Sequence, residues 1–259
     1  MKVLPILLMT YFVFHSAIAQ QYTASFDSNT NSNILHLMIE GGEIIVEGYA
    51  GKDVVIVADG YEAPPEKARG LTALYANGRQ DNSGLGLSVT REGSKMQLIS
   101  VGHQDIDYTI KIPDQTSILL QAGPQNDDII IRNLKGEIEL KAHSDDVELE
   151  GISGPVVANS ISGNIKLSFD EVNTHKPTAI SVVSGDVDIF LPSQTKADFK
   201  LSSVSGEVYT DFDLSMNSER DENRKRNGMR KPIHGSINGG GVPIQISTVS
   251  GNIYLRKQE

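Results

Sequence analysis

The sequence predicts an all-β protein: a single-domain β-solenoid, a β-helix-like stack of strand–turn units 9–11 residues long. Three observations predict it. The phrase apolar-x-Ser-Gly-polar-apolar-x-apolar recurs from near residue 134 to the C-terminus, most clearly as Ser181–Ile189. Its central slot holds Gly136, Gly154, Gly163, Gly185, Gly206 and Gly251, and Asp145 once, and the slots at 136, 145, 154 and 163 stand 9 residues apart. A fixed period of this kind marks a stacked repeat. Finally, the residue two after each slot is β-branched (Ile138, Val147, Val156, Ile165, Val187, Val208, Ile253), and an apolar residue usually follows two later. That alternation is the period of a strand with one buried face, and Ser-Gly-Asp/Asn before it is turn chemistry. In this register Val187 points into the core, while Asp186 and Asp188 point to solvent.

Residues 1–19 read as a cleavable export signal, with Lys2 ahead of an apolar run, Val3 to Phe14, and an A-x-A site at Ala17-Ile18-Ala19. About a dozen apolar residues is short for a membrane span. Residues 20–33, rich in Gln, Ser, Asn and Thr, read as a loose lead-in, and 34–257 as the solenoid domain. Strands are expected at 34–39 and 43–47. The slot pattern fits at Gly42 with Ile44 and Val46, and again at Lys52 and Asp53 with Val54 and Ile56, so the solenoid is expected to begin there. Residues 61–84 interrupt it. Pro64-Pro65 punctuates a helix start, which predicts a short helix over 66–76 before the turns at Asn77-Gly78 and Asn82-Ser83-Gly84. Strands resume at 86–90, 95–100 and 107–113, and Ile118, Leu120, Ile129 and Ile131 carry further rungs, with Asp127 in a turn slot.

Beyond Gly163 the slot steps are 22, 21 and 45 residues. Taking one 21-residue step from the last leaves 24, which predicts an insertion near 215–238. Its stretch Glu219–Lys231 holds six basic and three acidic residues and reads as a solvated loop, removable at little cost.

The composition narrows the function. There is no cysteine, so disulfides, thiolate metal sites, a cysteine nucleophile and a lipoprotein anchor are all excluded. A net charge of −10 disfavours nucleic acid and anionic membranes. His15, His36, His103, His143, His175 and His234 show no metal-ligand spacing. His143 replaces an aliphatic before a turn and is expected to be satisfied and partly buried. No serine lies in a nucleophile elbow, and Gly239-Gly240-Gly241 lacks the lysine of a phosphate loop. The expected catalytic, cofactor and metal sites are therefore none. Glu137, Glu139, Asp146, Glu148, Asp186, Asp188 and Glu207 all fall on outward positions. Stacked on strands ~4.8 Å apart they could share Ca²⁺, but a solvated face that protects sheet edges is the expected role.

Four stretches together, Asp107–Pro113, Asn133–Leu140, Val183–Pro192 and Asn238–Lys257, resemble the bacterial "putative adhesin" family of exported repeat proteins, domains of unknown function. The resemblance spans roughly residues 34–257 and implies a β-solenoid and a cell-envelope location, in the periplasm, on the outer-membrane surface or outside the cell. It implies a non-catalytic scaffold or adhesin-like role, with a cell-surface glycan or an envelope protein as partner. One rival is a carbohydrate-active β-helix enzyme, a polysaccharide lyase or hydrolase, for which Tyr209 and Tyr254 are the only outward aromatic pair in the repeats. Another is a periplasmic structural module that binds another envelope protein.

Overall fold

Strands with one apolar face must bury it against a second layer, and this chain does so by winding between two sheets. The structure is a computed structural model that describes residues 20–27, 32–75, 78–102, 104–144, 146–216 and 231–258. The expected signal segment with His15, the slot residue Asp145, His103 and most of the expected charged insertion lie outside the described residues.

In chain order the strands are β1 Gln20–Ser25, β2 Ile34–Ile39, β3 Gly42–Tyr49, β4 Asp53–Asp59, β5 Leu87–Glu92, β6 Lys95–Ser100, β7 Asp107–Pro113, β8 Ser117–Ala122, β9 Asn126–Arg132 and β10 Ile138–Ala142. They continue as β11 Val147–Ile152, β12 Val156–Ser162, β13 Ile165–Phe169, β14 Thr178–Ser184, β15 Val187–Pro192, β16 Ala197–Ser203, β17 Val208–Thr210, β18 Ser215–Met216, β19 Ile233–Ile237, β20 Val242–Ser250 and β21 Ile253–Gln258. One sheet has ten strands, ordered β1-β4-β7-β3-β9-β11-β13-β15-β21-β17; the other has eleven, ordered β18-β19-β16-β20-β14-β12-β10-β8-β2-β6-β5.

Each coil gives one strand to each sheet, so the 9-residue step is half a coil. Ile129, Val147, Ile165 and Val187 pair directly on neighbouring parallel strands, and the column continues through Ile253 to Val208. The facing column in the second sheet runs Leu37, Leu120, Leu140, Ala158, Ile180, Ile246 and Leu201. All seven are buried, and they join the other sheet's columns in one core cluster. This β-solenoid is the architecture expected from the repeats.

The coils do not stack in chain order. β20 and β21, last in the chain, lie between β14/β15 and β16/β17, and β2 and β3 lie between β6/β7 and β8/β9. The 45-residue step is therefore not a period plus a loose loop. After β17 the chain forms β18 and β19, which run antiparallel to cover β16, and then returns to fill a position one coil back. Removing residues 216–237 would take away β19 with its buried Ile237 and uncover β16, so the expected neutrality does not hold. Alternation could not reveal this, because every coil presents the same Ile/Val column to either neighbour.

Three other expectations change. The match at Lys52–Ile56 is not a coil, since β4 runs antiparallel between β1 and β7; any strand with one buried face shows the same alternation. Within the expected loose lead-in, Gln20–Ser25 forms β1 on the edge of the ten-strand sheet. The helix over 66–76 shrinks to one 3₁₀ turn, Glu66–Ala68, with no buried residue; Gly70 follows it at φ +78°.

The slot glycines serve less for positive φ than for close approach. A Cβ on Gly154 would lie 1.8 Å from the carbonyl oxygen of Gly136, and one on Gly206 would lie 1.8 Å from that of Gly251. Neither residue has a positive φ. The turns of successive coils touch backbone to backbone, and only glycine leaves the space.

Candidate functional site

The expected acidic ladder is not a run of carboxylates. On the turns from the eleven-strand to the ten-strand sheet, Asp146, Asn164, Asp186, Asn252 and Glu207 succeed one another in space. Each side chain but the last accepts a hydrogen bond from the next backbone N–H: Asn164 to Asp146 at 2.7 Å, Asp186 to Asn164 at 3.0 Å, Asn252 to Asp186 at 2.6 Å, and Glu207 to Asn252 at 3.0 Å. Acid and amide alternate, so like charges are not stacked.

The outer face of the ten-strand sheet repeats the device with ion pairs. Lys111, Glu47, Arg132 and Glu150 form one column of alternating sign. Lys166 sits between Glu148, which it contacts at 2.5 Å, and Asp188. On the eleven-strand sheet, Glu139 of β10 approaches Lys141 at 3.4 Å, and Glu137 just before β10 pairs with Lys176 at 2.6 Å. Adjacent carboxylates that could share a calcium ion are not brought together, and among the described residues no group of three or more His, Cys, Asp or Glu is placed to hold a metal. Exposed pairs of this kind contribute about 0–1 kcal/mol each.

Tyr209 and Tyr254 come together as the sequence suggests, with ring centroids 5.4 Å apart and planes 13° from parallel. The Arg256 guanidinium lies 5.1 Å from Tyr254 and 5.7 Å from Phe190, and its Nε donates to Asp188 at 2.7 Å. Asp188 is thereby committed to a cation.

The turn edge of the eleven-strand sheet carries an apolar column that the repeat phrase did not distinguish. Two residues before the slot, Leu134 and Ile152 are buried, yet Ile161, Val183, Val249 and Val204 are 44–54% exposed. Asn133 and Gly151, at φ +58° and +63°, shift the side-chain parity on one edge and turn Leu134 and Ile152 inward. The other edge lacks that shift.

At the far end of the same edge the 61–86 excursion folds over the turns and leaves a cleft in two adjoining lobes, about 310 and 700 Å³. The lobes share Glu40, Tyr75, Ser100 and Gly102. Tyr75 rests on Gly102, where a Cβ would lie 3.6 Å from its ring. The smaller lobe adds Tyr61, Gln104 and Tyr108; the larger adds Leu74, Arg79, Gln121 and His143. His143 is hydrogen-bonded through Nδ1 to the Ala122 carbonyl at 3.2 Å, as expected, but it is exposed and not partly buried. Since a carbonyl only accepts, Nδ1 is the donor in this contact. His36 is elsewhere, against Gln97 on the sheet face at 3.0 Å, its pKa lowered by burial. His175 lies in the turn after β13 and His234 on β19. Glu40, Ser100 and Tyr75 escaped sequence reasoning because nothing local links three residues spread over 60 positions.

A half-buried carboxylate makes the excursion a fixed wall. Asp81 accepts hydrogen bonds from Tyr61 Oη, from the backbone N–H groups of Ser83, Gly84 and Gly86, and from Ser83 Oγ, at 2.8–3.0 Å. Gln104 exchanges two more with the Glu62 backbone, and the Tyr108 hydroxyl donates to Leu85. Burial by itself would raise the Asp81 pKa, but these donors outweigh it and hold it below 3.8. Burial, and then the Asp81 contact, push Tyr61 up to about 12. A lowered carboxylate pKa contributes stability that is complete above the ordinary value and is lost as pH falls through the lowered one. Below about pH 4 the excursion should therefore loosen while the coils persist. Protection of the Ser83, Gly84 and Gly86 amides against hydrogen exchange, measured relative to the intrinsic rate at each pH, should fall on acidification, and in Asp81→Asn it should be lower and nearly independent of pH; unchanged wild-type protection through the same range would contradict the assignment.

The sequence of residues 128–256 matches the Toastrack DUF4097 family. This part of the chain belongs to that family. The Toastrack span holds most of the coils, the Asp/Asn column and the tyrosine stack, whereas Glu40, Tyr75 and Ser100 precede it. The fold is similar to that of a "putative cell adhesion protein" from Clostridium sporogenes, with a TM-score of 0.50 at 12% identity, over 93% of this chain and 100% of that one. A "putative adhesin" from Bacteroides fragilis aligns with a TM-score of 0.40 at 11% identity, over 94% of this chain and 98% of that one. No curated protein matches the chain in sequence. Among the described residues, no helix is long and apolar enough to cross a membrane.

Proposed function

We propose that this is an exported, non-catalytic, adhesin-like binding protein, and that the cleft beneath the excursion takes a saccharide unit of a cell-surface glycan. The observation that carries this reading is the cleft's chemistry. An aromatic side chain, Tyr75, stands on a glycine floor beside an amide, a hydroxyl, an imidazole and a carboxylate. Its size suits a small ligand, and an apolar wall with a few convergent polar groups suits a sugar ring, which has apolar faces and hydroxyl edges. Glu40 is the only carboxylate among the described lining residues. Glycoside hydrolysis ordinarily uses two carboxylates about 5–9.5 Å apart, so the cleft favours binding over cleavage. The name of the Clostridium sporogenes neighbour points the same way. Export rests on residues 1–19, and a mature N-terminus at Gln20 in the exported fraction is the expected result of terminal sequencing.

The binding test is a screen of the purified protein against a glycan panel, followed by titration of the best ligand into Tyr75→Ala and Glu40→Gln. Tyr75→Ala should weaken binding roughly tenfold or more, the worth of one lost aromatic contact, without lowering the melting temperature. Turnover of any glycan, or undiminished affinity in Tyr75→Ala, would overturn the reading.

A further inference from the structure

A sheet edge offers unpaired N–H and C=O groups to any strand that can reach it, and natural sheets usually guard their edges. The edges of this protein are guarded unequally. The excursion covers the outer edge of β5: Asn82 N–H donates to Leu87 O at 3.3 Å, its Nδ2 donates to Val89 O at 2.8 Å, and its Oδ1 accepts from Val89 N–H at 2.7 Å. At the opposite end β18 is only two residues long. β17 is three residues long and is followed by Asp211 and Asp213. Among the described residues β1 has no such protection. It is six residues long, QQYTAS, with no charged side chain, proline or bulge, and it forms the edge of the ten-strand sheet with β4 as its only paired strand among those residues.

We propose that β1 pairs antiparallel with β1 of a second copy, joining two ten-strand sheets across a two-fold axis. The strand's own pattern selects this occupant. Ala24 faces the core with Tyr22 packed beside it, and Gln21, Thr23 and Ser25 face solvent. Side chains alternate, so an inward residue must oppose an inward one. The register centred on Thr23 meets this rule. It sets Thr23 against its own copy, Gln21 against Ser25 and Tyr22 against Ala24, a large residue beside a small one on the inner face. Thr–Thr is a favourable cross-strand pair, and no like charges meet. Pairing β1 with β17 of another copy would instead be head-to-tail and would not close, giving filaments.

Sedimentation of the purified chain over a concentration series, with Thr23→Lys and Thr23→Glu, tests this. The wild type should dimerise. Each variant alone should be monomeric, its dissociation constant raised roughly tenfold or more because like charges now face each other across the axis. Mixing the two should restore a one-to-one dimer. Thr23 is exposed, so both variants should melt near the wild type. A wild-type chain that stays monomeric throughout, species that grow beyond a dimer, or a dimer untouched by Thr23→Lys would each overturn the proposal.

Discussion

Replacing Val187 with Asp should cost about 4 kcal/mol and abolish cooperative unfolding at physiological temperature. Val187 is fully buried and lies between Ile165 and Ile253 on the neighbouring coils. A carboxylate there meets only aliphatic side chains, with no cation or hydrogen-bond donor to compensate it. One residue further on, Asp188 faces solvent and pairs with Arg256, so Asp188→Ala should change stability by about 0.5 kcal/mol or less. Ile165→Asp against Lys166→Ala should repeat the contrast one coil earlier. Urea denaturation of the four variants measures both differences. Equal losses at 187 and 188 would mean that the inward register is misassigned.

Gly154→Ala should be nearly as damaging, at about 3 kcal/mol, which is large for the addition of one methyl group. Its Cβ would fall 1.8 Å from the Gly136 carbonyl oxygen and 2.9 Å from that of Lys135, and neither is the end of a flexible side chain that could move aside. Two coils would have to separate at that edge, loosening the Ile138–Val156 pairing directly beyond it. Gly239→Ala is the control. That glycine has a positive φ of 89° but open space around it, so its substitution meets backbone strain alone and should cost about 1 kcal/mol. Comparable losses at the two sites would show that conformation, not contact between coils, fixes the slot glycines.

The cleft was not legible in the chain. Glu40, Tyr75 and Ser100 carry no shared motif, and the stretch that brings Tyr75 to them reads as an interruption with an expected helix. The helix stops where Gly70 takes a positive φ, leaving Leu71 and Leu74 exposed, and what holds the excursion is polar: five bonds converging on Asp81. A carboxylate hub of that kind draws donors from scattered residues and has no period. The outward aromatic pair was legible, because Tyr209 and Tyr254 occupy the same position in two copies of one phrase. That Arg256 and Phe190 complete the stack depends on β21 lying beside β15, which the order of copies along the chain does not suggest.

The sequence by itself determined the β-solenoid, the 9-residue step, the inward and outward residues that follow each slot, and the turn at each Ser-Gly slot; that one step is half a coil came from the structure. These follow from period-two alternation and from glycine, both of which act between residues close in the chain. The tertiary structure alone decided which coil stacks on which, what lies beside each acidic residue, and where a cleft opens. Every coil presents an almost interchangeable aliphatic column, so the hydrophobic effect is close to indifferent among stacking orders. Tight turns, antiparallel covering strands and the hydrogen bonds of the excursion make the choice, and these connect residues far apart in the chain.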